Sequence, residues 1–189
     1  MKKIKKELTD LLGIIKSETF YGKEEKSVHP DIDVTFEYSP GRFCIKTKNP
    51  SLPNDSLMEM TFSDDYKILS YKEKNPFTGE VKDYSQEEVK SLGENGITTN
   101  FLRRDPRYIL ANSKDYKKIA EGYTMTIWDE RSKKLMKLGK GTGGLLVNIM
   151  QSTEIHIENN ELKRMVVKNN FLKKSGTVEK IFTDITFYK

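Results

Sequence analysis

Ile32, Val34, Phe36 and Tyr38 alternate with Asp31, Asp33, Thr35 and Glu37, and no other feature of the chain narrows its fold as much. A period of two sends the four apolar side chains to one face and the four polar ones to the other. That is a half-buried strand with one side in water. The stretch that follows continues the theme. SPG turns the chain, RFCIKT extends it, and NPSLPND is a loop rich in breakers. LMEMTF, with Met58, Met60 and Phe62 on one face, and KILSYKE after SDDY complete an antiparallel meander.

The flanks decide what the meander packs with. Ile4, Leu8, Leu11 and Ile15 recur at steps of four, three and four, so residues 3 to 16 form an amphipathic helix. Ser85 with Glu88 is a capping-box pattern before a short helix over QEEVKSL. Pro106 suits the first turn of another helix to about Ala111, and SKDYKKIAE reads as one more. The last third returns to strands: YTMTIWDE, a long LLVNIMQSTEIHIEN, a turn at NN, ELKRMVVKN, and TVEKIFTDITFYK with Ile181, Ile185 and Phe187 sharing a face. The order is helix, about four strands, helices, about four strands. This predicts one α+β domain over residues 1–189, a single large curved antiparallel sheet closed by the N-terminal helix and the short middle helices.

The chemistry such a sheet could host is narrow. The two histidines, His29 and His156, lack any metal-ligand spacing, no GxSxG elbow is present, and abundant carboxylates do not by themselves identify an acid–base pair. No metal site, cofactor or catalytic residue is therefore expected. GKGTGG at 139–144 lacks the order of a phosphate-binding loop and reads as a flexible hairpin or bulge. Cys44, between Phe43 and Ile45, is the only cysteine, so no internal disulfide forms; it reads as a small strand residue rather than a reactive thiol. The formal charge is +5, but lysines sit beside acidic residues almost everywhere. The clusters FLRRDPR, RSKKLMKLGK and NNFLKK lack the interleaved aromatics of a single-strand binder, so they read as solvated surface and no nucleic-acid partner is expected. The apolar run LLGII after MKKIKK is too short for a signal-peptide core, and no stretch approaches the ~18 apolar residues of a membrane span.

What remains is the apolar face. Met58, Met60, Phe62, Met125 and Ile127 form a methionine-rich set expected on neighbouring strands, joined by Phe43, Ile45 and Tyr71. Methionine adapts to irregular partners, so a concave sheet lined this way could take a flexible apolar ligand or a protein. The alternative is that the short helices fill the concavity and these residues are core.

The layout resembles the LolA/LolB-like lipoprotein-carrier superfamily. Pro40, Phe43 and Pro50 of SPGRFCIKTKNP match one of its strand patterns; Ser63, Asp64, Lys67, Leu69, Tyr71 and Pro76 match the next. Asp65 stands where that pattern has glycine and Ser70 where it commonly has an aromatic residue. The closing segment from Asn159 resembles the family's last hairpin. The resemblance implies an incomplete antiparallel β-barrel closed by helices, and an apolar cavity for a lipid or acyl chain. Within the superfamily the layout is most similar to lipoproteins of clostridial spore germination. That likeness implies an exported protein anchored to a membrane through a lipidated cysteine upstream of Lys2, with no catalysis of its own, supporting a cortex-modifying amidase by binding it. The residues themselves leave a cytosolic location open. An exposed edge strand also makes a homodimer by strand pairing or exchange an expectation.

Overall fold

The computed structural model describes residues 2–25, 31–91, 102–127, 147–172 and 178–189. Helix α1 (Lys2–Ser17) leads into six strands: β1 (Phe20–Glu24), β2 (Asp33–Ser39), β3 (Arg42–Lys48), β4 (Ser56–Phe62), β5 (Ile68–Lys74) and β6 (Val81–Tyr84). A helical stretch follows, with α2 (Gln86–Ser91), a 3-10 turn (Leu102–Arg104) and α3 (Pro106–Asn112). Five strands close the chain: β7 (Lys114–Ile119), β8 (Gly122–Ile127), β9 (Val147–Glu158), β10 (Glu161–Leu172) and β11 (Val178–Tyr188).

All eleven strands belong to one open antiparallel sheet in the order β6-β5-β4-β3-β2-β1-β11-β10-β9-β8-β7. Two meanders therefore meet where β1 pairs β11, with Tyr21 opposite Tyr188. Strands β6 and β7 are the free edges, and the stretch between them in sequence carries α2 and α3. Pro40 and Gly41 make the tight turn between β2 and β3; Gly41 sits at φ 66°, which its missing Cβ permits. Asn159 and Asn160, both at positive φ, form the β9–β10 turn expected from their sequence.

The predicted α+β class and open antiparallel sheet hold, with differences in count. SKDYKKIAE is not a helix: residues 114–119 form edge strand β7, because pairing with β8 decides the conformation of a segment with weak local preference. Strand β1 carries no alternation long enough to read. Its Gly22 is required by packing, since a Cβ there would lie 2.9 Å from Ile185 Cγ2. Strand β6, four residues long, is the far arm of the hairpin at NPFTGE, whose Asn75 Oδ1 accepts from the amides of Phe77 and Thr78.

Helix α1 buries Leu8, Leu11 and Ile15 and packs against α3 and β7. Those side chains join Leu102, Ile109 and Leu110 and the apolar face of the sheet in one core. No helix among the described residues is long and apolar enough to cross a membrane.

Candidate functional site

Register builds the inner face of the sheet row by row. Tyr84, Tyr71, Met60, Phe43 and Tyr38 are successive cross-strand neighbours, and Phe20 on β1 extends the row opposite Tyr38. The Tyr38 ring stacks on Phe20 at 4.6 Å between centroids and on Phe43 at 5.0 Å. The next row runs Met58, Ile45, Phe36, Gly22 and Phe187. Paired aromatic rings of this kind add about 0.5–1.5 kcal/mol each beyond the area they bury.

The residues expected to line a ligand face fall within this core. Phe43, Ile45, Met60, Phe62, Tyr71 and Met125 are buried, and Met58 is half-buried against them. The structure brings Phe43, Ile45, Met58, Met60 and Tyr71 together on adjacent strands β3 to β5. Met125 is not beside them: β3, β2, β1, β11, β10 and β9 stand between β4 and β8, and Met125 lies opposite Thr153. Ile127 ends β8 opposite Gln151, and its side chain lies outside the described residues. So do His29, the glycine-rich stretch 139–144 and the basic run 131–140.

A latch that the sequence did not announce holds the helical stretch to this face. Asp105 precedes Pro106 as the cap of α3 and accepts from the Arg107 amide at 2.9 Å. Arg107 is 1% exposed. It donates to Asp105 Oδ2 at 2.8 Å through Nη2 and to Oδ1 at 3.0 Å through Nε. It also donates to the carbonyls of Ser39 and Arg42, the residues that flank the Pro40–Gly41 turn, and sits 5.6 Å over the Tyr38 ring. Burial pulls its basicity down, but the Asp105 carboxylate outweighs that and keeps the group charged. Tyr38 adds a hydroxyl donated to the Arg104 carbonyl at 2.8 Å. One arginine of the basic cluster FLRRDPR is thus an interior group, not a surface charge. The legible signal was Pro106, suited to a helix's first turn; the Asp105 cap and the inward turn of Arg107 had none.

On the outer face, Arg42 pairs with Glu37 and with Glu59 at 2.7 Å, across the row that holds Cys44. The Arg42 hydrogen bond holds Glu59 below the usual glutamate range. Burial pushes the Cys44 thiol up, away from the thiolate form that reacts. Glu24, on the inner face opposite Ile185, is raised by burial, with Arg104 opposing.

Two clefts open along α1, at the end of the sheet that carries the β7–β8 and β9–β10 turns. The larger, about 490 Å³, lies between Glu7, Asp10 and Ile14 of α1 and Glu121, Tyr123 and Asn159 opposite. Tyr123 donates its hydroxyl to Glu7; burial, then that bond, pushes Tyr123 up to about 12. Gly122 lets the β7–β8 turn close in, because a Cβ there would sit 1.9 Å from the Ile155 carbonyl oxygen. The smaller cleft, about 70 Å³, continues past Ile14 and Asn160 toward Phe20, Leu162 and Phe187. None of the described side chains predicted to line a ligand face borders either cleft.

Among the described residues, no three His, Cys, Asp or Glu side chains are grouped to hold a metal ion. No protein-family model matches the chain, and no curated protein matches its sequence.

Proposed function

We propose that this chain is a non-catalytic interaction module of LolA-like type, similar in layout to GerS. Its role is to bind and support a cortex-modifying N-acetylmuramoyl-L-alanine amidase of the CwlD kind during spore germination. One observation carries the reading. The apolar inner face is occupied by the chain's own helices, and the best-placed charged groups, Asp105–Arg107 and Arg42 with Glu37 and Glu59, are tied into structural pairs. Contact with a partner then falls to the exposed surface. Mixing the purified protein with the amidase is expected to give a complex on size exclusion and increased cortex cleavage. Finding no complex and no added cleavage would overturn the proposal. The reading carries with it export and anchoring through a lipidated cysteine upstream of Lys2, which the full-length gene would reveal as a lipobox.

A second reading, a carrier of a lipid or acyl chain, has its own support. Strands β9, β10 and β11 run 12, 12 and 11 residues against seven in β2 to β5, so their inner face is longer. Mass spectrometry of gently purified protein would then show co-purifying acyl chains; delipidated masses throughout would remove it. The free edges β6 and β7 offer backbone for a homodimer, which sedimentation at high concentration would detect.

A further inference from the structure

The two free edges of the sheet are built differently. Edge strand β7 carries the exposed Lys117 and Lys118 and has α1 packed against it, two devices that keep an edge from pairing. Edge strand β6 carries a single lysine, Lys82, and its Val81 stands 55% exposed. The ladder fixes which of its backbone groups are unused. The Asn75 amide donates to the Glu80 carbonyl at 2.9 Å, and Glu73 and Tyr71 lie opposite Lys82 and Tyr84. Antiparallel ladders alternate, so these are the hydrogen-bonded pairs, and Val81 and Asp83 direct their N–H and C=O away from β5, to the free edge. Alternation also sorts the side chains: Glu80 and Lys82 share the face of Tyr84, and Val81 lies on the other. Lys82 pairs with Glu88 at 2.8 Å and lies 4.4 Å over the Tyr84 ring, while Glu80 accepts from Thr78 Oγ1 at 3.5 Å. An ammonium with three donors and a carboxylate with two oxygens each keep capacity for a further partner.

We propose that β6 pairs antiparallel with β6 of a second copy of this chain, about a two-fold axis through Val81. The side chains choose that register. Bonds form only where outward backbone groups meet outward groups, so the axis must pass through Val81, Lys82 or Asp83. An axis at Lys82 sets two ammonium groups face to face and Val81 against a carboxylate. An axis at Asp83 opposes two carboxylates. An axis at Val81 puts valine on valine on one face and Glu80 against Lys82 twice on the other, because Glu-Val-Lys run antiparallel is its own complement. Opposite charges and apolar side chains directly across a ladder stabilise it, and like charges weaken it. The two Val81 residues then exchange both backbone hydrogen bonds, and the contact is isologous, so it closes at two copies. The strand is short, so the association is weak and is seen at high protein concentration. The inference rests on the free-edge homodimer reading and narrows it to one edge and one register; it stands or falls without the amidase.

The test is sedimentation equilibrium of the full chain at up to about 1 mM and low salt, conditions that populate weak dimers. A monomer–dimer equilibrium is expected. Val81→Pro should abolish it and leave the thermal melt nearly unchanged, since the lost N–H is not one that β5 uses. Glu80→Lys and Lys82→Glu, each alone, should weaken self-association about tenfold or more, because each sets two like-charge pairs across the ladder. Mixed in equal amounts, the two variants should associate with each other at least as well as the parent chain does with itself, since every cross-strand pair is again of opposite charge. A parent chain that stays monomeric throughout would overturn the proposal and the homodimer reading together. A dimer that Val81→Pro leaves intact, or a mixture no tighter than the single variants, would overturn this interface alone and place the contact elsewhere.

Discussion

The two halves of the sheet build the same inner wall by different means. From β1 to β5 the wall is aromatic: Phe20, Phe36, Tyr38 and Phe43 stack across three strands, and the Arg107 latch ties the β2–β3 turn to α3. From β8 to β11 it is chiefly aliphatic, Met125, Ile155, Met165, Val167 and Ile185, with Tyr123 on β8 and Phe187 beside β1 as its buried rings and Thr153 and Thr183 interrupting it. There a hydrogen bond from Tyr123 to Glu7 ties the wall to α1. Rings and a buried guanidinium fix one geometry, because few arrangements satisfy them. Aliphatic side chains and threonine hydroxyls constrain less. Among the described residues the first half is thus the more heavily tied frame, and the second carries fewer such ties.

Breaking the latch should produce the largest effect. Arg107→Ala leaves Asp105 buried and uncompensated and frees the Ser39 and Arg42 carbonyls, at a cost of about 3–5 kcal/mol. In a chain of this length that lowers Tm by about 10 °C. Arg107→Lys should rescue little, since one ammonium cannot serve Asp105 and two carbonyls in a plane. A near-wild-type melt for Arg107→Ala would erase the distinction between the halves.

Removing one hydroxyl from each half sharpens the contrast in sign. Tyr38→Phe strands the Arg104 carbonyl and should destabilise by about 1–2 kcal/mol. Thr153 Oγ1 is buried without a hydrogen-bond partner among the described residues, so Thr153→Val should be neutral or stabilising by about 1 kcal/mol. Chemical denaturation of the two variants measures both. Equal losses would contradict the account.

The smallest effects concern two carboxylates with opposite pH signatures. Glu59 is depressed by Arg42, so its contribution is present above the ordinary glutamate value of 4.5 and is lost as pH falls through its lower folded value. Glu59→Gln should flatten stability on the acid side of 4.5. Glu24 is raised, so the folded state holds its proton longer and stability falls as pH rises from 4.5 through the folded value. Glu24→Gln should therefore stabilise the protein at neutral pH and make little difference well below 4.5. Denaturation midpoints across pH 3–7 separate the two.

The sequence carried the wall better than what fills it. Alternation over residues 32–38 and 123–125 and the stripe Leu8, Leu11, Ile15 are each imposed by one local period, and each appears as read. Strand β1 escaped because five residues with a glycine inside show no period, and β7 because its residues serve a helix as well as an edge strand. The latch was half visible: Pro106 marks a helix start, but the Asp105 cap and the direction of Arg107 into the core depend on a turn 65 residues earlier. The clefts along α1 were invisible, since their walls come from α1, the β7–β8 turn and the β9–β10 turn, and nothing local joins them.

Native-state amide hydrogen exchange tests most directly whether α3 is a fixed part of the wall. The slowest amides of α3 and of the β2–β3 hairpin should share one opening free energy in the wild type, and Arg107→Ala should release α3 ahead of β3. If α3 exchanged far faster than β3 in the unaltered protein, the helices would be a removable cover and the inner face an open site.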